Sequence, residues 1–74
     1  MKKMIIRQKV GAELRRRRKE KKLTQEQLEA LTGIDRTAIA KYELGTIEIS
    51  LSNFAAICEA LGTDPAAFFM EMSS

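Results

Sequence analysis

The 74-residue sequence predicts a single all-α domain built from five helices joined by short turns. Three observations support this prediction. Apolar residues recur at helical spacing, a capping residue precedes four of the apolar segments, and no segment alternates apolar and polar residues as a half-buried strand does. Residues 1–74 are therefore assigned to one domain, in which residues 1–4 and 73–74 are expected to be flexible ends.

The first helix is predicted to run from about Ile5 to Lys21. Its inward stripe contains a residue at every fourth position, namely Ile6, Val10, Leu14 and Arg18. The last member of this stripe is charged. Its stem is expected to lie against the core, and its guanidinium group then needs an anionic partner.

The segment that follows predicts two helices in close succession. Thr24 and Gln27 have the spacing of a capping box, which predicts a helix over Gln25–Thr32 that ends before Gly33. Asp35 caps the next helix, so only three residues separate the two. A short turn that contains glycine is typical of a helix-turn-helix. An ordinary corner between two helices has the same pattern, so the turn alone leaves both interpretations open.

Two further helices complete the predicted fold. Ser50 caps the fourth helix, whose predicted inner face consists of Leu51, Phe54, Ala55, Cys58 and Leu61. Asp64 caps the fifth helix, and Pro65 occupies its first position, where the missing N–H group of proline costs no hydrogen bond.

Helix 3, over about 36–44, divides into two faces at 100° per residue. The inward face consists of Ala38, Ile39 and Tyr42. The outward face consists of Arg36, Thr37, Ala40, Lys41 and Leu44. In a major groove, Arg36 suits guanine O6 and N7, Thr37 suits a thymine methyl group, and Lys41 suits a guanine or a phosphate. We therefore predict that these three residues read bases; the alternative is that the two cations are only solvent-facing charges.

Three residues at helix ends are predicted to bind DNA phosphates. Thr24 and Gln25 lie at the start of helix 2, where backbone N–H groups and the helix dipole favour an anion. Thr46, just after helix 3, offers a further hydroxyl group. For Thr24, helix capping is a simpler interpretation of the same residue.

A structural ion pair is predicted between Arg18 and Glu43. Glu43 lies at the edge of the inward face of helix 3, and Arg18 lies on the inward stripe of helix 1. Because a buried cation needs a partner, we expect the two side chains to pair. Their expected role is to hold the third helix at its angle rather than to contact DNA.

Charge is unevenly distributed along the chain, although the net charge is only +3. Residues 1–41 contain all 13 Lys and Arg residues and five acids, whereas residues 42–74 contain five acids and no base. The basic part predicts a surface for a polyanion such as double-stranded DNA.

Several other protein classes are excluded by composition. With no histidine and only one cysteine, the sequence predicts no enzymatic activity, no metal site and no cofactor. The single cysteine, Cys58, lies on a core stripe and fits a reducing compartment. No apolar run is long enough to span a bilayer, so we expect no membrane partner and a cytoplasmic location.

The C-terminal segment is rich in large apolar residues. A short fifth helix cannot hide all of them, so one of its two phenylalanines is expected to complete the core and the remainder to meet a second chain. The candidate dimer interface consists of Phe68, Phe69, Met70 and Met72. A frayed tail is the alternative. In a two-fold dimer, the two reading helices would lie about 34 Å apart and face a pseudo-palindromic site.

Taken together, these positions resemble the phage-repressor and Cro type of helix-turn-helix, the XRE family. The resemblance covers about residues 10–69 and is carried by Val10-Gly11, Leu14, Arg18, Leu23-Thr24-Gln25, Leu28, Gly33-Ile34, Ile39, Tyr42-Glu43, Gly45, Leu51, Ile57 and Leu61. It implies a compact, five-helix, lambda-repressor-like domain in which helices 2 and 3 form the helix-turn-helix. Within the family, the turn and the short last helix look like the controller proteins of restriction–modification systems, with phage repressors and antitoxins as close alternatives.

The resemblance also implies roles for individual residues. Gln25 matches a position that commonly contacts a phosphate, the three outward residues of helix 3 match base-reading positions, and Arg18 with Glu43 matches a family ion pair. Three residues depart from the family pattern: Glu29, Thr32 and Leu44. The function expected is that of a homodimeric, sequence-specific transcriptional regulator. The alternative is a protein-interaction module of the same fold, such as an antitoxin or a coactivator.

Overall fold

The computed structural model describes residues 3–73 and consists of five α-helices in this range. They are α1 (Lys3–Glu20), α2 (Gln25–Thr32), α3 (Arg36–Leu44), α4 (Leu51–Ala60) and α5 (Pro65–Ser73). The all-α prediction is confirmed. Helix α1 begins two residues earlier and ends one residue earlier than expected. The expected flexible ends fall partly on residues 1, 2 and 74, which lie outside the described residues, while residues 3, 4 and 73 belong to helices.

The core lies where α1, α3, α4 and α5 converge, with α2 packed against α3 and α4. The apolar residues buried in it are Val10, Leu14, Leu28, Ile34, Ile39, Tyr42, Phe54, Ile57, Cys58, Leu61 and Phe68. Cys58 is fully buried, and this burial raises the pKa of its thiol to about 11. The cysteine therefore acts as a small apolar core residue, as its position on the stripe predicts.

Three residues expected to face the core are exposed instead. Ile6 and Leu51 are 43% and 84% exposed, and both line an open hollow beside the core residues Val10 and Phe54. Ala55 is exposed because the buried face of α4 is centred between Phe54 and Ile57 rather than between Phe54 and Ala55. The buried face of α4 therefore includes Ile57, and it excludes Leu51 and Ala55, which the sequence placed on it.

Helix α5 is anchored to the core by Phe68. Its side chain is fully buried and packs edge-on against Phe54, with ring centroids 5.1 Å apart. The Arg17 guanidinium lies over the Phe68 ring, 4.6 Å from its centroid. The assignment of Phe68 to a dimer interface is therefore wrong: it is the phenylalanine that completes the core of its own chain.

Helices α1 and α3 touch through their backbones at Gly11. A Cβ atom at this position would lie 2.1 Å from the carbonyl oxygen of Tyr42 and 2.7 Å from that of Glu43. Only glycine permits this approach, so residue 11 determines how closely α3 lies against α1. Within residues 3–73, no helix is both long enough and apolar enough to cross a membrane.

Candidate nucleic-acid interface

The turn between α2 and α3 has the geometry of a helix-turn-helix. Helix α2 ends at Thr32 and is capped by Gly33, which adopts a left-handed φ of 75° and donates its N–H group to the Glu29 carbonyl oxygen. The Thr32 hydroxyl donates to the Leu28 carbonyl at 2.8 Å and accepts from the Ile34 N–H at 3.1 Å. The Thr32 hydroxyl therefore satisfies two backbone groups at the turn, one in the last turn of α2 and one just after it.

Two carboxylates cap the start of α3. The Asp35 side chain accepts a hydrogen bond from the Thr37 N–H at 3.0 Å, as predicted for an N-cap. The Glu29 carboxylate accepts from the Arg36 N–H at 3.1 Å. Glu29, one of the three residues that depart from the family pattern, thus has a local partner at the N-terminus of α3.

Helix α3 is sorted into a buried and an exposed face. Ile39 and Tyr42 are 1% and 9% exposed, and the Tyr42 hydroxyl accepts a hydrogen bond from Asn53 Nδ2 at 2.9 Å. Ala38 is half-buried, as is Ala40 on the outward side. The remaining outward residues are exposed, namely Arg36, Thr37, Lys41 and Leu44. The three predicted base-reading side chains therefore share one accessible surface, which we call the α3 outer face.

The guanidinium group of Arg36 has a neighbour on α2. Arg36 Nη1 lies 3.3 Å from Glu26 Oε2, and the two side chains are 60% and 63% exposed. Sequence reasoning did not identify this pair, because the contact depends on how the turn places the first residue of α3 beside α2.

A buried network joins α1, α2 and α3. Arg18 Nε lies 2.6 Å from Glu43 Oε2, Arg18 Nη2 lies 2.9 Å from Glu43 Oε1, and Arg18 Nη1 donates to the Leu23 carbonyl at 2.7 Å. The hydrogen bond to Glu43 raises the pKa of Arg18. Gln25 Nε2 donates to Glu43 Oε1 at 3.1 Å. The structure thus brings Gln25, a predicted phosphate contact, together with the structural ion pair.

The other two predicted phosphate contacts lie at helix ends. The Thr24 hydroxyl accepts from the Gln27 N–H at 3.0 Å, and the Gln27 side chain accepts from the Thr24 N–H at 2.8 Å. The capping box is therefore present. Thr46 is exposed just beyond α3, where its hydroxyl donates to the Lys41 carbonyl at 3.3 Å.

One of the remaining interface candidates, Phe69, lies at an apolar hollow of about 230 Å³ between α1, α4, α5 and the segment that follows α3. Phe69 lines it and is 44% exposed, with its ring centroid 5.0 Å from that of Phe54. Met70 is 72% exposed, whereas Met72 is half-buried against the core. Sequence reasoning missed three exposed apolar residues that share the lining of this hollow, namely Ile6, Ile47 and Leu51.

Comparisons with known proteins agree with this fold. The helix-turn-helix family HTH_3 matches residues 14–68. The crystal structure of the restriction-modification controller protein C.AhdI from Aeromonas hydrophila is 37% identical, with a TM-score of 0.80, over 84% of this chain and 94% of that one. Two crystal structures of the clp gene regulator ClgR from Corynebacterium glutamicum are 30% identical, with TM-scores of 0.84 and 0.82. They cover 90% of this chain and 71% and 87% of theirs. A comparison with curated proteins finds no match.

Proposed function

The chain belongs to the XRE-type helix-turn-helix family and is a DNA-binding transcriptional regulator, and we propose that it recognises its operator by inserting α3 into the major groove. The observation that carries this proposal is the division of α3 into a buried face and an exposed face. Ile39 and Tyr42 are buried, while Arg36, Thr37 and Lys41 are exposed together on the α3 outer face. Guanidinium, hydroxyl and ammonium groups at the start and middle of such a helix are suited to base edges.

In the same proposal, the DNA backbone is held at the helix ends. The N-terminus of α2 contributes Thr24 and Gln25, and Thr46 contributes from the segment after α3. A helix N-terminus favours an anion because its first N–H groups and its dipole point toward the ligand. Since Gln25 also bonds to Glu43, a phosphate bound there is coupled to the ion pair that positions α3.

The salt dependence of duplex binding tests the proposal. Binding of random-sequence duplex should weaken steeply between about 50 and 200 mM salt, because each neutralised phosphate releases counterions. If Lys41 lies at the duplex, Lys41→Ala lowers the slope of log affinity against log salt by about one. The matched control is Arg16→Ala, which removes a cation that pairs with Glu13 and Glu20 on the far side of α1.

The control variant should leave the salt slope unchanged. Binding that is insensitive to salt, or equal slopes for the two variants, would contradict a DNA-contacting role for the α3 outer face. Binding of a protein partner together with no binding of duplex at either salt concentration would favour the alternative, a protein-interaction module of the same fold.

We also propose that the regulator acts as a homodimer on a pseudo-palindromic operator. The support is the concentration of exposed apolar side chains around the hollow, since such surface gains free energy when a second chain covers it. The proposed interface consists of Ile6, Ile47, Leu51 and Phe69, which line the hollow, and of the exposed Met70, which follows Phe69 in α5. Met72, which the sequence predicted for the same interface, is instead half-buried against the core of its own chain. In a two-fold arrangement, each protomer would place one α3 in a half-site, and the half-sites would lie about 34 Å apart.

The more specific hypothesis is that the chain is a restriction–modification controller protein. Its support is the 37% identity to C.AhdI over most of both chains. Binding to DNA upstream of its own gene, measured against random duplex at equal salt, would test this hypothesis separately from DNA binding itself.

A further inference from the structure

Arg36, the first residue of the proposed reading helix, donates hydrogen bonds from both its main chain and its side chain to carboxylates of α2. Its main-chain N–H donates to Glu29 Oε2 at 3.1 Å, and its side-chain Nη1 donates to Glu26 Oε2 at 3.3 Å. Glu26 and Glu29 are three residues apart, so they lie on the same face of α2. One helix face therefore contacts both the backbone and the guanidinium group of a single residue.

We propose that Glu26 is a specificity-determining positioning residue that aims the Arg36 guanidinium at a base edge, an inference that rests on the proposed function. Arginine has many rotamers, and a long side chain that is held in place loses less entropy when it binds. A bond through Nη1 leaves the other edge of the guanidinium, Nε and Nη2, to bind O6 and N7 of a guanine together.

The negative charge of Glu26 has a second effect, which is repulsion of DNA phosphates. Repulsion and positioning of Arg36 can be told apart because they change DNA binding in opposite directions. Glu26 is 63% exposed beside the α3 outer face, so its carboxylate repels the phosphates of any duplex whatever the sequence. Positioning of Arg36, in contrast, helps only where the contacted base pair presents guanine. Glu26 should therefore weaken non-specific binding and increase discrimination between bases.

The test compares affinities for two duplexes. One is an operator selected from a random pool, and the other is the same operator with an exchange at the base pair whose preference disappears in Arg36→Ala. Glu26→Ala should lower the ratio of the two affinities by about two- to fivefold, as expected for loss of one exposed ion pair. Affinity for random duplex should stay equal or rise. Glu26→Gln keeps a hydrogen-bond acceptor and should retain part of the ratio.

Two comparisons separate positioning from other effects. In the Arg36→Ala background, Glu26→Ala should leave the ratio unchanged, because no guanidinium remains to be positioned. Glu20→Ala removes a similarly exposed partner of an arginine, Arg16, and should change neither the ratio nor the melting temperature. The melting temperature of Glu26→Ala should also stay within the range of the parent, since the pair is exposed.

An unchanged ratio in Glu26→Ala, or an equal change in the Arg36→Ala background, would overturn the inference while leaving the proposed function intact. Absence of salt-sensitive duplex binding by the parent would instead refute the proposed function, and the role of Glu26 with it.

Discussion

At the scale of residues, the position of α3 depends on the buried pair of Arg18 and Glu43. Both are 7% exposed, and three hydrogen bonds from the guanidinium satisfy it through Glu43 and the Leu23 carbonyl. Taking two charges out of water costs free energy that their attraction offsets only when the geometry is good. Removal of one partner alone therefore destabilises the fold by much more than the intact pair stabilises it.

We expect Glu43→Ala to destabilise the fold by about 3–5 kcal/mol, because it leaves the Arg18 cation buried without its anion. DNA affinity should fall with it. The double replacement Arg18→Met with Glu43→Leu should recover part of the loss, since it leaves no buried charge. Urea unfolding measures the stability of the single and the double variant, and the exposed Glu20→Ala is the control. If Glu43→Ala melts like the parent, the pair does not position α3.

At the scale of elements, α1 is the platform for α3, and their backbone contact at Gly11 fixes their separation. The neighbouring carbonyl oxygens belong to the last turns of α3, close to Glu43. The glycine contact and the ion pair therefore act on the same part of the helix. Helix α3 has little freedom to change its angle against the body, which suits an element that must present side chains to a groove in one register.

Gly11→Ala should cost about 1–3 kcal/mol, because the new methyl group would overlap carbonyl oxygens that belong to a helix backbone and cannot move aside alone. We also expect weaker operator binding at temperatures where the variant is still folded, since α3 must shift. Ala12→Ser, at the exposed next position, is the control. Equal unfolding midpoints for Gly11→Ala and the parent would contradict the close approach of α1 and α3.

The elements themselves were largely predictable, because their signals are local. The capping residues gave the start of α2, α3 and α4, and the helical wheel separated Ile39 and Tyr42 from the α3 outer face. The contacts of Glu26 and Glu29 with Arg36 were not predictable. They require the angle between α2 and α3, which is set by tertiary packing rather than by spacing in the sequence.

At the scale of the whole molecule, the assignment of apolar residues between core and surface was only partly predictable. The sequence indicated that the last helix holds more apolar residues than one core can cover. It did not indicate that Phe68 is the buried one, or that Leu51 and Ile47 join Phe69 around the hollow. Phe69 is distant in the sequence from Ile47 and Leu51, so only the packing of the helices reveals that the three share a surface.

The attachment of α5 also depends on contacts between distant residues. Arg17 donates to Glu13, to the Thr63 hydroxyl at 3.1 Å and to Glu71 at 2.7 Å. Hydrogen bonds from Arg16 and Arg17 lower the pKa of Glu13 to about 2, so this carboxylate stays ionised even in mildly acidic solution. Helix α5 is thus held both by Phe68 and by a charged network, and Phe69 is carried in a defined place beside the hollow.

We expect Leu51→Glu to raise the dissociation constant of the dimer by about tenfold or more, because a carboxylate in the proposed interface loses its hydration. Leu51 is 84% exposed within one chain, so the fold should be unaffected. The control is Leu31→Glu, which changes a leucine that is 61% exposed in a different surface, between α2 and α4. Sedimentation at micromolar concentration reports the outcome. A parent that sediments as an 8.3 kDa species would contradict the dimer.

The most direct measurement of the central claim is a selection of bound fragments from a random DNA pool, carried out in parallel with the parent and with Arg36→Ala. If α3 lies in the major groove, the parent selects two related half-sites. The variant should lose its preference at one base pair of each half-site while keeping the others, a loss of about 1–3 kcal/mol of discrimination. Identical base preferences for the two proteins would show that the α3 outer face does not read the operator.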